Sequence, residues 1–448
     1  MDAQQLEPTP TLLICPNIQL KHNDGAHLSP RAIEPKLEEA TRLVKALNLD
    51  LIGVDVPLVQ EIKPASFIGG GHQTRIADMV EAHEAKLIVV DTALSPIQQR
   101  NLERSLNAKV IDRTGLILEI FGKRARTHEG RLQVELAALT FQRSRLVKSW
   151  THLERQRGGF GFTGGPGESQ IEIDRRLIDQ RITLLKSKLD QVKRTRSLHR
   201  KARAKVPYPI VALVGYTNAG KSTLFNKMTG AAVMSKDMLF ATLDPTMRAL
   251  SLPSKDKIIL SDTVGFITDL PHELVAAFQA TLEEVQAADV ILHIRDAASS
   301  ACNDEAKDVE SVLETLEISP DIPIIDIFNK IDLLPEHKIQ QLAQKHVAIS
   351  ALEGDGLEDL TAAIEEAIYR HLKLFHYRLG GQDQAMIYGA SYAFLHEYGH
   401  NVQLIDQDEQ DGSQIFQVEW RPADHEHFTR KFGIPPLNAD KHELNALK

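Results

Sequence analysis

The chain has 448 residues, of which 42% are hydrophobic and 25% charged, with a formal net charge of −9 at pH 7. Those are globular values, and the length predicts two to four domains. Cys15 and Cys302 stand far apart without metal-type spacing, no run of about 18 apolar residues can span a membrane, and the start MDAQQLEPTP is acidic and polar, unlike a signal or transit peptide, so a reducing, cytoplasmic setting is expected.

Residues 1–113 alternate strand-like and helical runs. Leu12 to Cys15, Leu49 to Val56, Leu87 to Asp91 and Val110 to Ile111 predict strands, while Pro30 to Leu47, Gln73 to Ala85 and Pro96 to Leu106 predict helices. This alternation predicts a small α/β domain with a mainly parallel sheet. Gly69-Gly70-Gly71-His72 precedes a helix and reads as a tight strand-to-helix turn. A second phosphate site there would rest on the glycine run alone.

Residues 114–205 differ in charge and period. Residues 121–205 carry 21 Lys/Arg against 8 Asp/Glu, leaving 31 against 53 elsewhere. A basic segment on an acidic protein points toward nucleic acid, although a solvated helix face has the same composition. Leu132, Leu136, Leu139, Leu146, Trp150 and Leu153 fall on a 4,3 spacing, with Arg143 in one slot, and Ile178, Ile182, Leu185, Leu189 and Val192 repeat it. Two such helices predict an antiparallel coiled-coil hairpin, with arms of about 37 and 55 Å. The tip, 158–167, holds six glycines and the aromatic pair Phe160 and Phe162. Such a tip suits entry into RNA, where phenylalanine rings stack on bases.

Residues 206–372 carry the motif that decides the biochemical class. The apolar run Ile210 to Val214 leads into Gly215-Tyr216-Thr217-Asn218-Ala219-Gly220-Lys221-Ser222-Thr223. The G-x4-GK-S spacing marks a phosphate-binding loop, whose backbone N–H groups converge on phosphate oxygens. Lys221 adds a point charge and the Ser222 hydroxyl can hold Mg²⁺. Asp262-Thr263-Val264-Gly265 follows a short strand, so that Asp262 can hold the hydration shell of the metal and Gly265 N–H can meet the γ-phosphate. Asn329-Lys330-Ile331-Asp332 ends another apolar strand. A carboxylate at Asp332 accepts both guanine donors, N1–H and the 2-amino group, and Asn329 can bridge the base to the phosphate loop. Ser350-Ala351-Leu352 offers backbone N–H to guanine O6. Between these segments lies Phe240-Ala241-Thr242-Leu243-Asp244-Pro245-Thr246, where Thr242 or Thr246 could bind Mg²⁺ while the γ-phosphate is present. Beyond the phosphate loop, each segment is weak by itself; their order and spacing together with it imply guanine-nucleotide binding and GTP hydrolysis. Residues 373–448 predict a small tail domain, with a helix over Ala385 to Glu397 and a strand pair, Val402 to Ile405 and Ile415 to Trp420, around Asp411-Gly412.

Beyond those shared motifs, the chain resembles the HflX family of ribosome-associated GTPases. The resemblance rests on Arg157-Gly158-Gly159-Phe160-Gly161 with Gly164-Gly165-Pro166-Gly167-Glu168, on Phe240-Ala241-Thr242-Leu243-Asp244-Pro245, and on Asp262 through Pro271 continuing to Ala277-Phe278 and Thr281 to Glu284. It implies an α/β multidomain chain: an N-terminal α/β domain with an antiparallel helical hairpin, a P-loop (Ras-like) GTPase domain and a small α+β C-terminal domain. It also implies GTP and GDP as ligands, binding to the large ribosomal subunit and its rRNA, and dissociation of stalled or idle ribosomes. By the family pattern, Ser222 and Thr242 are the Mg²⁺ ligands. Gly71-His72 stands where the family usually has Gly-Lys.

Phe266 follows Gly265 where many Ras-like proteins carry a glutamine that orients the attacking water. Slow intrinsic hydrolysis is therefore expected. Lys221, Thr242, Gly265 and Asn218 are the candidate catalytic groups. Asn218 is included because asparagine at this place helps some GTPases bind a potassium ion, although asparagine also bends loops. A monomer is expected. A GTPase acting on another RNA, such as a tRNA-modification factor, and a protein-scaffold switch are the alternatives.

Overall fold

The structure, a computed structural model, describes residues 8–19, 33–156, 170–203, 208–230, 240, 246–254, 256–268, 279–370, 372–380, 387–408, 411–420 and 422–437. The glycine-rich tip 158–167 and the site candidates Ala241, Thr242, Leu243 and Asp244 lie outside the described residues.

The N-terminal part runs β1 (Pro10–Ile14), β2 (Asn17–Ile18), α1 (Ile33–Ala46), β3 (Asp50–Asp55), β4 (Leu58–Val59), α2 (Gly70–Ala82), β5 (Leu87–Val90), α3 (Pro96–Leu106), β6 (Lys109–Asp112) and α4 (Arg113–Arg124). The main sheet has order β3-β1-β5-β6 and every pairing is parallel. Parallel strands are covered on both faces, so β1 runs apolar from Leu12 to Ile14. Leu12 and Ile14 enter one core, and Leu13 enters another with Leu43, Ile117 and Phe121. Ser95 and Gln98 close a capping box at the start of α3, with Pro96 in its first turn. Helix α2 starts at Gly70, three residues before the expected Gln73, so Gly70, Gly71 and His72 lie in its first turn. Neither Gly69, Gly70 nor Gly71 takes a left-handed φ.

Helices α5 (His128–Gln156) and α6 (Gln170–Arg203) form the hairpin. Leu132, Leu185 and Leu189 are buried together, with Leu136, Leu139 and Val192 packed against them. Arg143, which interrupts the apolar spacing of α5, pairs across the hairpin with Asp179 at 3.1 Å, and Arg181 pairs with Glu135 at 2.7 Å.

Next come β7 (Ile210–Gly215), α7 (Lys221–Thr229), β8 (Thr246–Ser251), β9 (Lys257–Asp262), α8 (Gln279–Gln286), β10 (Val290–Asp296), α9 (Cys302–Thr315), β11 (Ile324–Asn329), α10 (Glu336–Ala343), β12 (Val347–Ala348) and α11 (Leu357–Tyr369). The strands form one sheet of order β12-β11-β10-β7-β9-β8, antiparallel only between β8 and β9. Along β7, Val211 and Leu213 face one core while Ala212 and Val214 face the other. That second core is continuous with the N-terminal domain. It runs from Leu13 and Leu43 through Ile117 and Phe121 to Phe240, Val264 and Phe266, and it takes in Val134 and Ala137 of α5.

The tail has β13 (Lys373–Leu379), α12 (Tyr388–Tyr398), β14 (His400–Gln407), β15 (Gln414–Trp420) and α13 (Pro422–Phe432). Its antiparallel sheet has order β13-β15-β14 around Tyr377, Phe394, Trp420 and Phe428. The sequence reading missed β13 and α13.

Candidate nucleotide-binding site

The site lies at the carboxyl ends of β7, β9 and β11, where an open parallel sheet presents loop backbone rather than side-chain layers. Gly215 ends β7 where a Cβ would stand 2.3 Å from the Ile294 carbonyl, so only glycine fits. Gly220 has φ +98°, and a Cβ there would stand 2.1 Å from Asn329 Nδ2. The loop between them opens α7, whose N-terminus directs backbone N–H groups outward.

Lys221 is buried, and its Nζ donates to the carbonyls of Gly215 at 3.0 Å and Tyr216 at 2.7 Å. Burial lowers its pKa from 10.5 to about 8; Asp262 raises it in part and Lys330 adds to the depression. Ser222 Oγ donates to Asp262 Oδ2 at 2.7 Å, joining the start of α7 to the end of β9. Thr263 turns inward and donates to the Leu213 carbonyl at 2.5 Å, and Val264 is buried in the core. Gly265 lies against the phosphate loop: a Cβ there would meet Thr217 at 3.0 Å and Lys221 Nζ at 3.1 Å.

At the other end, Asn329 joins two loops. Its Nδ2 donates to the Ala219 carbonyl at 2.8 Å, and its Oδ1 accepts from Ala351 N at 2.9 Å. Ser350 Oγ donates to Asp332 Oδ1 at 2.6 Å. Lys330 has φ +66° and reaches Asp296 at 2.6 Å. Ile331 is buried and bonds Ile349 O at 3.2 Å, which holds the two loops in register. Leu352 is exposed. Thr223 sits in the first turn of α7, half-buried.

Two expected site residues point elsewhere. The Phe240 ring meets Phe121 of α4 edge-on at 4.6 Å and is buried in the shared core. The Tyr216 hydroxyl leaves the loop for Glu39 of the N-terminal domain. Apolar side chains beside a domain boundary are drawn into whichever core excludes most water. The sequence reading also missed Asp296 and Lys227. Asp296 is a charge closing the apolar strand β10, a pattern that the sequence does contain. Lys227 Nζ donates to the carbonyls of Leu352 at 3.1 Å and Glu353 at 3.0 Å and pins the base-side loop to α7.

The six-stranded sheet, the glycine-bounded loop and the paired loops of Asn329 and Ser350 define a P-loop GTPase domain. Three family models match in succession between residues 34 and 330: residues 34–122 match "GTP-binding GTPase N-terminal", 124–203 "GTP-binding GTPase Middle Region", and 210–330 "50S ribosome-binding GTPase". GTPase HflX of Magnetococcus marinus is 51% identical over 352 residues, 76% of this chain and 81% of that one. GTPase HflX of Escherichia coli is 43% identical over 397 residues, 86% of this chain and 91% of its own. A solved GTP-binding protein from Sulfolobus solfataricus in complex with GDP has 24% identity and a TM-score of 0.42, covering 81% of this chain and 99% of that chain. The chain belongs to the HflX family of GTPases. It hydrolyses GTP. Among the described residues no helix is long and apolar enough to cross a membrane.

Proposed function

We propose that the chain is a GTP-driven switch that binds the large ribosomal subunit through its helical hairpin and dissociates stalled or idle ribosomes. In this reading Asp332 accepts the two guanine donors, with Ser350 holding its carboxylate in place. Asn329 keeps the base loop and phosphate loop together. Lys221 and the backbone from Tyr216 to Thr223 hold the phosphates. Ser222 Oγ and the Asp262 carboxylate are hard oxygens side by side, a donor set that suits magnesium. Ser222 and Thr242 would hold that ion, which when bound neutralises charge on the phosphates. Gly265 N–H meets the γ-phosphate. The hairpin tip, with Phe160 and Phe162, engages ribosomal RNA.

The observation that carries this reading is the continuous core. Phe266, next to Gly265, is buried with Ile117 and Phe121 of α4 and with Val134 and Ala137 at the base of the hairpin. A packed core shifts between discrete arrangements and does not deform smoothly, so a displaced Gly265 peptide acts on the hairpin. The match of residues 210–330 to the family model "50S ribosome-binding GTPase" supports it. The test is co-sedimentation with purified large subunits in the presence of a non-hydrolysable GTP analogue, GDP or no nucleotide. Retention with the analogue alone is expected. Equal retention in all three states, or none in any, sinks the proposal.

A further inference from the structure

Lys227 stands in the last turn of α7, where a lysine ordinarily offsets the negative end of the helix dipole. Here its ammonium crosses to another loop. Nζ donates to the carbonyls of Leu352 at 3.1 Å and Glu353 at 3.0 Å, residues 125 and 126 positions away in the chain. The stem lies against Gly354, whose φ is +105° and where a Cβ would stand 3.0 Å from Lys227 Cε. Glycine leaves room there for the lysine to pass.

The loop that Lys227 grips is held unevenly. Its inner limb is tied down by its own neighbours. Ala351 is buried, and its N–H donates to Asn329 Oδ1 at 2.9 Å. Ser350 N donates to Asp355 O at 3.0 Å and Gly354 N to Ser350 O at 2.7 Å. Glu353 N donates to Ser350 Oγ at 3.1 Å. The outer limb lacks apolar packing, because Leu352 is 66% exposed and Glu353 is exposed too. What holds the carbonyls of that limb is Lys227. With the Ala351 N–H taken by Asn329, the Leu352 N–H is the donor that this loop can turn toward guanine O6, and it lies one peptide before a carbonyl that Lys227 holds. Helix α7 also opens with Lys221 and Ser222 at the phosphate end of the site, and Lys227 follows after a rise of about 9 Å. One rigid element therefore carries the phosphate-side residues at its start and grips the base-side loop near its end.

We propose that Lys227 is a positioning residue for base recognition: it fixes the Leu352 N–H toward guanine O6, and so sets selectivity at O6 and the residence time of the nucleotide. This rests on the nucleotide site proposed above, in which Asp332 reads the other two groups of the guanine edge, N1–H and the 2-amino group. The two roles separate with two analogues. 6-Thio-GDP keeps N1–H and the 2-amino group but offers sulfur, larger and a weaker acceptor, in place of O6. Inosine diphosphate keeps O6 and lacks the 2-amino group. The test compares wild type with Lys227→Met, which keeps an unbranched stem and cannot donate. Affinities come from competition with fluorescent GDP, and GDP release from a stopped-flow chase. In Lys227→Met, GDP release should be about tenfold faster and the preference for GDP over 6-thio-GDP should shrink by about threefold or more, while the preference for GDP over inosine diphosphate stays within about twofold of wild type. Release at the wild-type rate would overturn the proposal, as would a wild type that binds GDP and 6-thio-GDP equally. Equal weakening of all three nucleotides marks a merely structural role and overturns it as well. Asp332→Asn tests the site itself: it should erase the preference for GDP over inosine diphosphate, and if that preference survives, the site assignment has failed whatever Lys227 does.

Discussion

Base choice in the proposed site rests on Asp332. Its carboxylate is oriented by Ser350 and is an acceptor only, matching the two donors on the guanine edge. Asp332→Asn presents a donor to one of them. GTP affinity should fall about a hundredfold or more, since two charge-assisted bonds are disturbed, and xanthosine triphosphate should gain affinity. Competition binding measures both, and unchanged GTP affinity would remove Asp332 from the site. Cys15 makes an opposite case, a reactive residue type made inert. Burial, and then the nearby Asp91, raise its pKa from 9.0 to about 12. The native state therefore keeps a proton that the unfolded chain loses, so this group's contribution to stability declines as pH rises from 9 toward 12. At pH 8.5 Cys15 should resist iodoacetamide in the native protein and react in denaturant, as mass spectrometry would reveal. Rapid native labelling would contradict the burial.

At the level of elements, the phosphate loop and the hairpin differ in what holds them. Asn218 takes φ +62°, a left-handed conformation that asparagine adopts more readily than most residues. That bends the loop whether or not its side chain also binds potassium. If it does, hydrolysis should run faster in K⁺ than in Na⁺ at equal ionic strength, and Asn218→Ala should abolish the difference. Identical wild-type rates in the two salts leave Asn218 as a loop residue. The hairpin depends on a short apolar seam. Leu185 is fully buried between α5 and α6, with Leu132 and Leu189 as neighbours. Leu185→Ala should cost about 2–5 kcal/mol. Hydrogen exchange should show the loss in α5 and α6, with α7 and α11 as protected as before; uniform loss across the chain would mean that the hairpin does not open separately.

For the whole molecule, the nucleotide domain and the base of the hairpin share one core through Val134 and Ala137. Replacing 158–167 by a few glycines removes Phe160 and Phe162 and leaves the described nucleotide site untouched. GTP affinity should match wild type while subunit dissociation, followed by light scattering, is lost. Full dissociation activity after this change would move the working surface to the helical flanks or the tail domain.

The nucleotide motifs could be read in the sequence because each is contiguous. Gly215 to Thr223, Asp262 to Gly265, Asn329 to Asp332 and Ser350 to Leu352 each follow a strand end, so backbone geometry alone brings them to one edge of the sheet. The parallel N-terminal sheet was legible for a similar reason, since runs such as Leu12 to Ile14 announce burial on both faces. Strand β13 and helix α13 escaped because their apolar residues make sense only against Trp420 and Phe394. The bonding between the nucleotide and N-terminal domains escaped more completely. It joins Glu39 to Tyr216 and Arg113 to Thr268, and a hydrogen bond between residues 177 positions apart leaves no period and no spacing in the chain. Only the packing of α1 and α4 onto the nucleotide domain brings those groups within bonding distance, and the same packing took the Phe240 and Phe266 rings into the shared core, where burying them removes the most apolar surface from water.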